Sequence, residues 1–368
     1  MGGSPLASWA TMRNGLIAGA LTSCVVTLLG CGAPALAEEA ETDDALMQVE
    51  PTTVVWTDES GKGAPPRSGP RLVGAGAELV ARSADATRMV SLGAASGGAT
   101  SGAARVVSTG TSLSEPAASS NGVAWLERSA DPSSARLVRF AGGQAQPWAT
   151  LEGLSDGARV AMDDAGAYVT VRDGDGSEYV AEAHRDGTLT RRATVCAERS
   201  DCMSTSMILD VSSIYVATEG AAGGGSVARI NRASGASDRV PLQGGTFVVA
   251  TRIAALAVDA RFVFISLGGQ GLLRFDKARG TTRMAWAEAA DSPLAMDTSY
   301  VYFKTKWGDI FSLDKEIAHP PQRVARLPEG SAHDFVLAGD ALYASMRSDD
   351  GARIVKAPLT PRRPERAR

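Results

Sequence analysis

The chain has 368 residues, and its 37 Lys and Arg against 41 Asp and Glu give a net charge of −4. A near-neutral chain lacks the clustered positive charge of a nucleic-acid-binding surface, so we expect no nucleic-acid partner. Apolar residues make up 44% of the chain, which excludes global disorder, and only 3 His leave little room for a His-rich metal centre.

The first 30 residues have the features of an export signal. Residues 1–37 contain no Asp or Glu and a single basic residue, Arg13, which precedes an apolar run over residues 15–30. That run is shorter than the roughly 20 apolar residues of a membrane span. The order of features predicts a signal peptide over residues 1–30 and an exported protein.

Two cleavage sites are compatible with this signal. Residues 28–31 (Leu-Leu-Gly-Cys) resemble the lipobox of bacterial lipoproteins, which implies that Cys31 becomes the lipidated first residue. The protein would then be an outer-membrane lipoprotein that faces the periplasm or the cell surface and meets the membrane only through its lipid. Alternatively, residues 35–37 (Ala-Leu-Ala) form an A-x-A site, and cleavage after residue 37 would release a soluble periplasmic or secreted protein.

Two polar segments flank the region that we expect to fold. Residues 31–51 carry six acidic side chains between Glu38 and Glu50 and no basic one, which predicts a flexible, solvated tether. Residues 360–368 form a basic tail broken by proline, which we expect to be disordered.

A short cysteine-bounded segment indicates a disulfide. Cys196 and Cys202 are six positions apart, and in an oxidising compartment such a pair is expected to bond. Zinc would need two more ligands, and the nearest histidine, His184, stands alone.

The informative feature of the remaining chain is a repeat of about 44 residues. In its clearest copies an Asp stands five positions before an aromatic residue, at Asp163/Tyr168, Asp210/Tyr215, Asp259/Phe264 and Asp297/Tyr302. Weaker copies place the aromatic at Trp125 and Tyr343, and a degenerate copy covers residues 76–81. Such self-similarity predicts a repeat architecture.

Each repeat has the same internal order. In one copy an apolar strand (294–296) reaches Asp297, whose side chain can bond the backbone N–H groups ahead of it and form a tight turn. An aromatic strand (300–303) follows, then a third strand (309–313) and a fourth (322–327). Four short strands in 40–45 residues are typical of a β-propeller blade.

The repeats resemble those of secreted bacterial β-propeller proteins, with an apolar strand, an Asp turn and a Val-Tyr-Trp-like strand. The resemblance covers residues 52–359 and implies an all-β propeller, most simply of seven four-stranded blades, with six or eight as alternatives. The last unit stops after its third strand (353–357), so the early strand at 53–57 is expected to supply the fourth and close the ring.

In propellers of this strand order, binding usually occurs at the central channel and at the face that carries the connections between second and third strands and between blades. We expect six such loops there, beside the Cys196–Cys202 loop: residues 128–135, 172–178, 219–226, 267–271, 304–309 and 347–352. The candidate binding loop is that of Lys304, Lys306 and Trp307, which could stack on and charge-pair with an anionic ligand or glycan. The alternative is an ordinary solvated loop.

Other motifs are better explained by turns. Residues 173–178 have oxygen-bearing side chains but lack the length and terminal Glu of an EF-hand. Residues 153–157 match G-x-S-x-G, but a strand rather than a helix is expected to follow, so we interpret them as a blade-to-blade turn. The repeated Asp residues are expected to serve in turns rather than as a cation ring. We therefore expect no catalytic or metal-ligating residue and no cofactor.

Propellers host many unrelated activities, so the repeat favours no one reaction. The leading hypothesis is a non-enzymatic, envelope-associated scaffold that binds a protein or glycan of the cell envelope. The alternative is a propeller enzyme, a lyase or hydrolase, with its site over the central channel.

Overall fold

The computed structural model divides the chain into residues 1–48 and 49–368, and the fold below belongs to the second unit. It describes residues 53–58, 70–75, 78–94, 104–119, 122–128, 131, 134–155, 157–197, 201–220, 224–242, 252–287, 290–305, 308–327, 332–338, 341–348 and 351–359. The expected signal peptide, the tether and the basic tail lie outside these residues. In the described part of the chain, no helix has the length and apolar character needed to cross a bilayer.

The unit is a seven-bladed β-propeller, as the repeat predicts. Each blade is an antiparallel sheet whose strands neighbour one another in chain order. The first three blades, counted along the chain, are β2 (Arg71–Ala75), β3 (Glu78–Arg82), β4 (Arg88–Ala94) and β5 (Arg105–Thr109); β6 (Ser112–Leu113) with β7 (Ala117–Ser119), β8 (Gly122–Arg128), β9 (Ser134–Ala141) and β10 (Gln144–Glu152); and β11 (Val160–Met162), β12 (Ala167–Arg172), β13 (Glu178–Ala183) and β14 (Leu189–Cys196).

The remaining blades follow the same order. They are β15 (Met203–Leu209), β16 (Ser213–Glu219), β17 (Gly225–Asn231) and β18 (Ser237–Arg239); β19 (Ile253–Val258), β20 (Phe262–Leu267), β21 (Gly271–Asp276) and β22 (Thr281–Trp286); β23 (Ala290–Met296), β24 (Tyr300–Thr305), β25 (Asp309–Asp314) and β26 (Gln322–Arg326); and β27 (Ala332–Ala338), β28 (Ala341–Ser348) and β29 (Gly351–Pro358) with β1 (Thr53–Asp58). Innermost strands of successive blades contact one another around the ring, and β27 contacts β2.

The N-terminal strand closes the ring as predicted. β1 pairs antiparallel with β29, from Thr53 against Lys356 to Asp58 against Ala352, and is the fourth strand of blade 7. At its end the buried Asp58 carboxylate accepts a hydrogen bond from the Ala84 backbone N–H at 2.8 Å and one from Arg88 at 2.9 Å. Asp58 therefore ties the last blade to the first.

The core lies between the blades. In the described residues each pair of neighbouring blades encloses one apolar cluster. Each second strand contributes side chains to two of these clusters, because successive side chains point to opposite faces of a sheet. On β24, for example, Tyr302 packs towards blade 7, whereas Val301 and Phe303 pack towards blade 5. Such strands are buried along nearly their whole length, unlike strands with one solvated face.

The blade-2 repeat is shifted by one residue relative to the alignment. Trp125 packs towards blade 1, whereas the aromatics of blades 3 to 7 pack towards the following blade. Ala124 and Leu126 supply the cluster with blade 3 instead. A shift of one position reverses the face of every side chain in a strand.

The repeated Asp residues have the turn role expected of them. In all four clear copies one carboxylate oxygen accepts two backbone N–H bonds of 2.7–3.0 Å from the residues two and three positions ahead: at Asp163, Asp210, Asp259 and Asp297. This is the Asx-turn geometry that favours Asp in tight turns.

Three of these turns also bind the next blade. The second oxygen of Asp163 pairs with Arg232, that of Asp210 with Lys277 and that of Asp259 with Lys315. Each cation follows the third strand of the next blade. Burial opposes ionisation of these three carboxyl groups, but the cation and the backbone N–H bonds outweigh it and hold their pKa below the usual value. We call these pairs the blade staples.

Deletion of residues 52–57 should lower the melting temperature by on the order of 10 °C, because it removes the fourth strand of blade 7 and exposes the β29 edge. Thermal unfolding followed by circular dichroism measures the change. Val54→Thr is the control, since Val54 is 48% exposed on the same strand and should change little. An unchanged melting temperature for the deletion would contradict closure by β1.

Arg232→Ala should destabilise the protein by about 2 kcal/mol, because it leaves the Asp163 carboxylate without its cation and the Asp210 carbonyl without a donor. Urea unfolding measures the loss. The matched control is Arg279→Ala, whose side chain is 73% exposed and 4.0 Å from Asp276; it should change the free energy of unfolding by less than about 0.5 kcal/mol. If Arg232→Ala and Arg279→Ala changed the free energy of unfolding equally, the Arg232–Asp163 pair would not contribute specifically to stability.

Candidate functional site

The two faces of the propeller carry different connections. The turns between first and second and between third and fourth strands lie on one face, called the lower face. The upper face carries the connections between second and third strands and between blades, because strand direction alternates within each blade. Each of the six predicted loops follows a second strand and precedes a third strand, and the described strand ends that bound them lie on the upper face.

Five charged residues gather where the innermost strands begin, at the upper end of the channel. They are called the mouth cluster: Arg71, Arg82, Glu115, Arg159 and Asp334. Arg71 begins β2, Arg159 immediately precedes β11 and Asp334 lies near the start of β27, so blades 1, 3 and 7 each contribute to the cluster.

Glu115 is at the centre of the mouth cluster. Its carboxylate lies 3.3 Å from the guanidinium of Arg71 and 2.7 Å from that of Arg159, which belong to the blades on either side. Burial opposes the charge on Glu115, but Arg71, Arg159 and Arg82 outweigh it and hold the pKa of Glu115 below its usual value. Glu115 is therefore an ionised carboxylate shared by two arginines.

A break in the innermost strand of blade 2 presents Glu115 to the channel. β6 and β7 both pair with β8, but Glu115 and Pro116 lie between them. Pro116 has no N–H to donate to the β8 ladder. On the other side of the break, Ser114 bonds Leu126 twice, since its N–H donates to the Leu126 carbonyl at 2.9 Å and its hydroxyl accepts the Leu126 N–H at 2.8 Å.

Asp334 joins blades 7 and 1 at the same end of the channel. It is 7% exposed, and its carboxylate accepts the Leu72 N–H at 2.9 Å and the Phe335 N–H at 3.1 Å. Burial raises the pKa of Asp334 to about 6, with a smaller contribution from Glu115, although Arg71 and the two N–H bonds act in the opposite direction. The mouth cluster therefore includes a carboxyl group whose pKa is raised to about 6.

The Cys196–Cys202 bond forms as predicted, and hydrogen bonds connect its loop to the mouth cluster. The two Cα atoms are 5.6 Å apart. Arg172 donates a hydrogen bond to the Cys202 carbonyl, and Ser204 donates its N–H and its hydroxyl to the buried Glu178 carboxylate. The Ser204 carbonyl in turn accepts the Arg159 Nε–H at 3.4 Å. The disulfide loop is thus connected to a mouth arginine.

A cavity of about 170 Å³ opens beside Glu115 and Arg159. Its walls come from the innermost strands of blades 2 to 5 and include Ala117, Val160 and Leu256. The charged groups therefore stand at the rim of a small recess in the channel that is lined by both polar and aliphatic side chains.

The predicted binding loop is only partly described. Lys304 lies on β24, half-buried, with its backbone paired to Ile310. Lys306, Trp307 and the predicted lipid anchor Cys31 lie outside the described residues, so their roles stay predictions. Across the residues that the structure describes, no group of three or more His, Cys, Asp or Glu is placed to hold a metal ion.

The two motifs interpreted as turns have turn geometry. In the G-x-S-x-G segment the Ala158 N–H donates to the Ser155 carbonyl, and β11 rather than a helix follows. In the 173–178 segment the Asp173 N–H donates to the Ser177 carbonyl at 2.8 Å, and the Asp175 carboxylate accepts the Ser177 N–H at 2.8 Å. Both segments join strands of the propeller.

The mouth cluster was not anticipated from the sequence. The available signal was positional: Arg71, Glu115, Arg159 and Asp334 each stand at or near the start of the first strand of a repeat. Their convergence depends on ring closure, because they are separated by as many as 263 positions.

Comparison with known proteins supports the fold alone. No protein-family model matches the chain, and no curated protein matches its sequence. BamB from Moraxella catarrhalis is 14% identical with a TM-score of 0.50, over 86% of this chain and 100% of that one. Apo AztD from Citrobacter koseri is 10% identical with a TM-score of 0.51, over 80% and 87%. The Cps50 (Swd1) β-propeller domain of Myceliophteria thermophila is 10% identical with a TM-score of 0.57, over 84% and 100%.

Asp334 should make stability depend on pH. A folded-state pKa of about 6 against a usual value of 3.8 means that the native protein pays about 3 kcal/mol to keep this buried carboxylate ionised. This cost is absent below pH 3.8, where Asp334 is protonated in both the folded and the unfolded state. As the pH rises from 3.8 to about 6, the contribution of Asp334 to the free energy of unfolding is lost. Between pH 3.8 and about 6 we therefore expect the free energy of unfolding of wild type to fall relative to that of Asp334→Asn, because the asparagine does not titrate.

Urea unfolding at pH 4, 5, 6 and 7 tests this expectation. Arg71, Arg82 and Glu115 also act on Asp334 and are unchanged in both proteins, so the comparison isolates the Asp334 carboxyl group. A difference that stays constant with pH would contradict the raised pKa.

Proposed function

We propose that the protein is a non-enzymatic scaffold of the bacterial envelope whose upper face binds another protein or a glycan. The observation that carries this proposal is the mouth cluster, in which guanidinium groups from different blades converge at the rim of the channel. Arg71 is 40% exposed and Arg159 25% exposed, so both are within reach of a partner. Arginine is enriched in the energetically important centres of protein interfaces.

The proposed location is outside the cytoplasm. The export features of residues 1–37 support it, and so does the Cys196–Cys202 bond, since disulfides persist in oxidising compartments. Cys31 would carry the lipid of an outer-membrane lipoprotein facing the periplasm or the cell surface. A soluble periplasmic or secreted protein released after residue 37 is the alternative.

A lyase or hydrolase with a site over the channel is the second candidate function. Asp334, a carboxyl group with a pKa near 6 at the channel mouth, is the observation that favours it, because shifted pKa values are common among catalytic acids and bases. Both carboxylate oxygens of Asp334 accept backbone N–H bonds, however, which fits a structural role better.

In-cell crosslinking, pull-down and mass spectrometry test the scaffold. We expect a specific partner in near-stoichiometric yield from wild type, reduced yield from Arg71→Gln, and full yield from Arg261→Gln, an exposed ion-paired arginine of the lower face. Recovery of no partner from wild type would contradict the scaffold and favour the enzyme.

A Cys31→Ser form tests the lipid anchor. This form should leave the membrane fraction, and its retention there would contradict lipidation at Cys31.

A further inference from the structure

We infer that the mouth cluster is a carboxylate-binding site that receives an acidic side chain of a partner polypeptide, with a neighbouring aliphatic residue of the partner in the adjoining cavity. This inference rests on the proposed scaffold function and specifies the chemistry of its partner.

The first argument is the charge of the mouth cluster. Three guanidinium groups face two carboxyl groups, and one of those two, Asp334, is buried against backbone N–H groups. The cluster therefore keeps a positive excess even when both carboxyl groups are ionised. Within the described residues, Arg82 also has a buried Nε–H without a hydrogen-bond partner, which adds an unsatisfied donor to the same cluster.

The second argument is the way in which Glu115 is held. Its carboxylate is bound by Arg71 and Arg159 from two different blades, which demonstrates that the mouth can hold a carboxylate between two guanidinium groups. In the contacts described for Arg71, one nitrogen faces Glu115, whereas a guanidinium has five N–H donors in a planar fork. Glu115 is 37% exposed, so an incoming carboxylate can bind beside it or displace it.

The third argument is the cavity. Its volume of about 170 Å³ is below the roughly 300–1,000 Å³ of ordinary small-molecule sites, and it suits one side chain of an extended peptide. Its walls include Ala117, Val160, Met207 and Leu256, and no aromatic ring stands among the described residues that line it. Thr205 and Ser206 also line the recess, but the lack of an aromatic ring favours a peptide side chain over a sugar ring, which proteins commonly stack on an aromatic side chain.

Fluorescence anisotropy with defined peptides tests the inference on the purified full chain. The probe is a rhodamine-labelled peptide with a Leu-Glu-Leu centre, compared with the Leu-Gln-Leu peptide and with a labelled oligogalacturonate. We expect the Glu peptide to bind about tenfold more tightly than the Gln peptide at low salt, because a charged hydrogen-bonding partner is lost in the Gln peptide. The difference should shrink as salt screens the charges.

Variants locate the binding. Arg71→Gln and Arg159→Gln should each weaken binding of the Glu peptide about tenfold and leave the Gln peptide unchanged. Glu115→Gln should strengthen binding of the Glu peptide severalfold, because it removes the internal competitor; a purely structural role for Glu115 would weaken it. Arg261→Gln, on the lower face, is the matched control and should bind as wild type does.

Three results would overturn the inference: equal affinity for the Glu and Gln peptides, wild-type affinity in both mouth arginine variants, or tighter binding of the oligogalacturonate, which would assign the site to an acidic glycan. Melting curves check that each variant folds. If Arg159→Gln does not fold, the more exposed Arg71 still provides the test.

The outcomes also separate this inference from the scaffold itself. A cellular partner that is retained by Arg71→Gln leaves the scaffold in place and removes the carboxylate site. Binding of the Glu peptide without any cellular partner would instead support the carboxylate site and contradict the scaffold.

Discussion

A sheet with apolar side chains on both faces has to be covered on both sides, and every blade of this protein is such a sheet. The second strands place buried side chains in two interblade clusters at once, as Val301 and Tyr302 do in blade 6. An open row of blades would leave two apolar faces in water. Burial is therefore complete only when the first and last blades meet, and the β1–β29 pairing with its terminal Asp58 holds that junction.

Carboxylates serve this closed ring in two different ways. On the lower face Asp163, Asp210 and Asp259 each bond their own backbone and one cation from the next blade, so the charge of these three is matched within the fold. In the mouth cluster the charges are not matched, because the three guanidinium groups of Arg71, Arg82 and Arg159 outnumber the two carboxyl groups. Three lower-face carboxylates are thus paired with cations across blade junctions, whereas the mouth cluster contains three guanidinium groups and two carboxyl groups.

The repeat predicted the blades well where its spacing was strict. The Asp turns, the six upper-face loops, the disulfide and the closing strand all follow from local pattern, since turn formation and strand alternation depend on residues a few positions apart. Trp125 shows the limit of this reasoning. It appeared to be the blade-2 aromatic, yet it faces blade 1, because a one-residue shift reverses a strand's faces and cannot be seen from spacing alone. The sequence contains only a weak indication of the staple cations: an Arg or Lys directly follows the last residue of the third strand, which is Asn231, Asp276 or Asp314.

The sequence by itself determined the fold, the direction of the strands and the position at which the N-terminal strand returns to the last blade, because each is encoded in a pattern repeated about every 44 residues. Only the tertiary structure decided the candidate site. Arg71, Glu115, Arg159 and Asp334 belong to different repeats and obey no local spacing rule. They meet because the ring brings the start of every innermost strand to one end of the channel, and the shifted pKa values of Glu115 and Asp334 depend in part on that proximity.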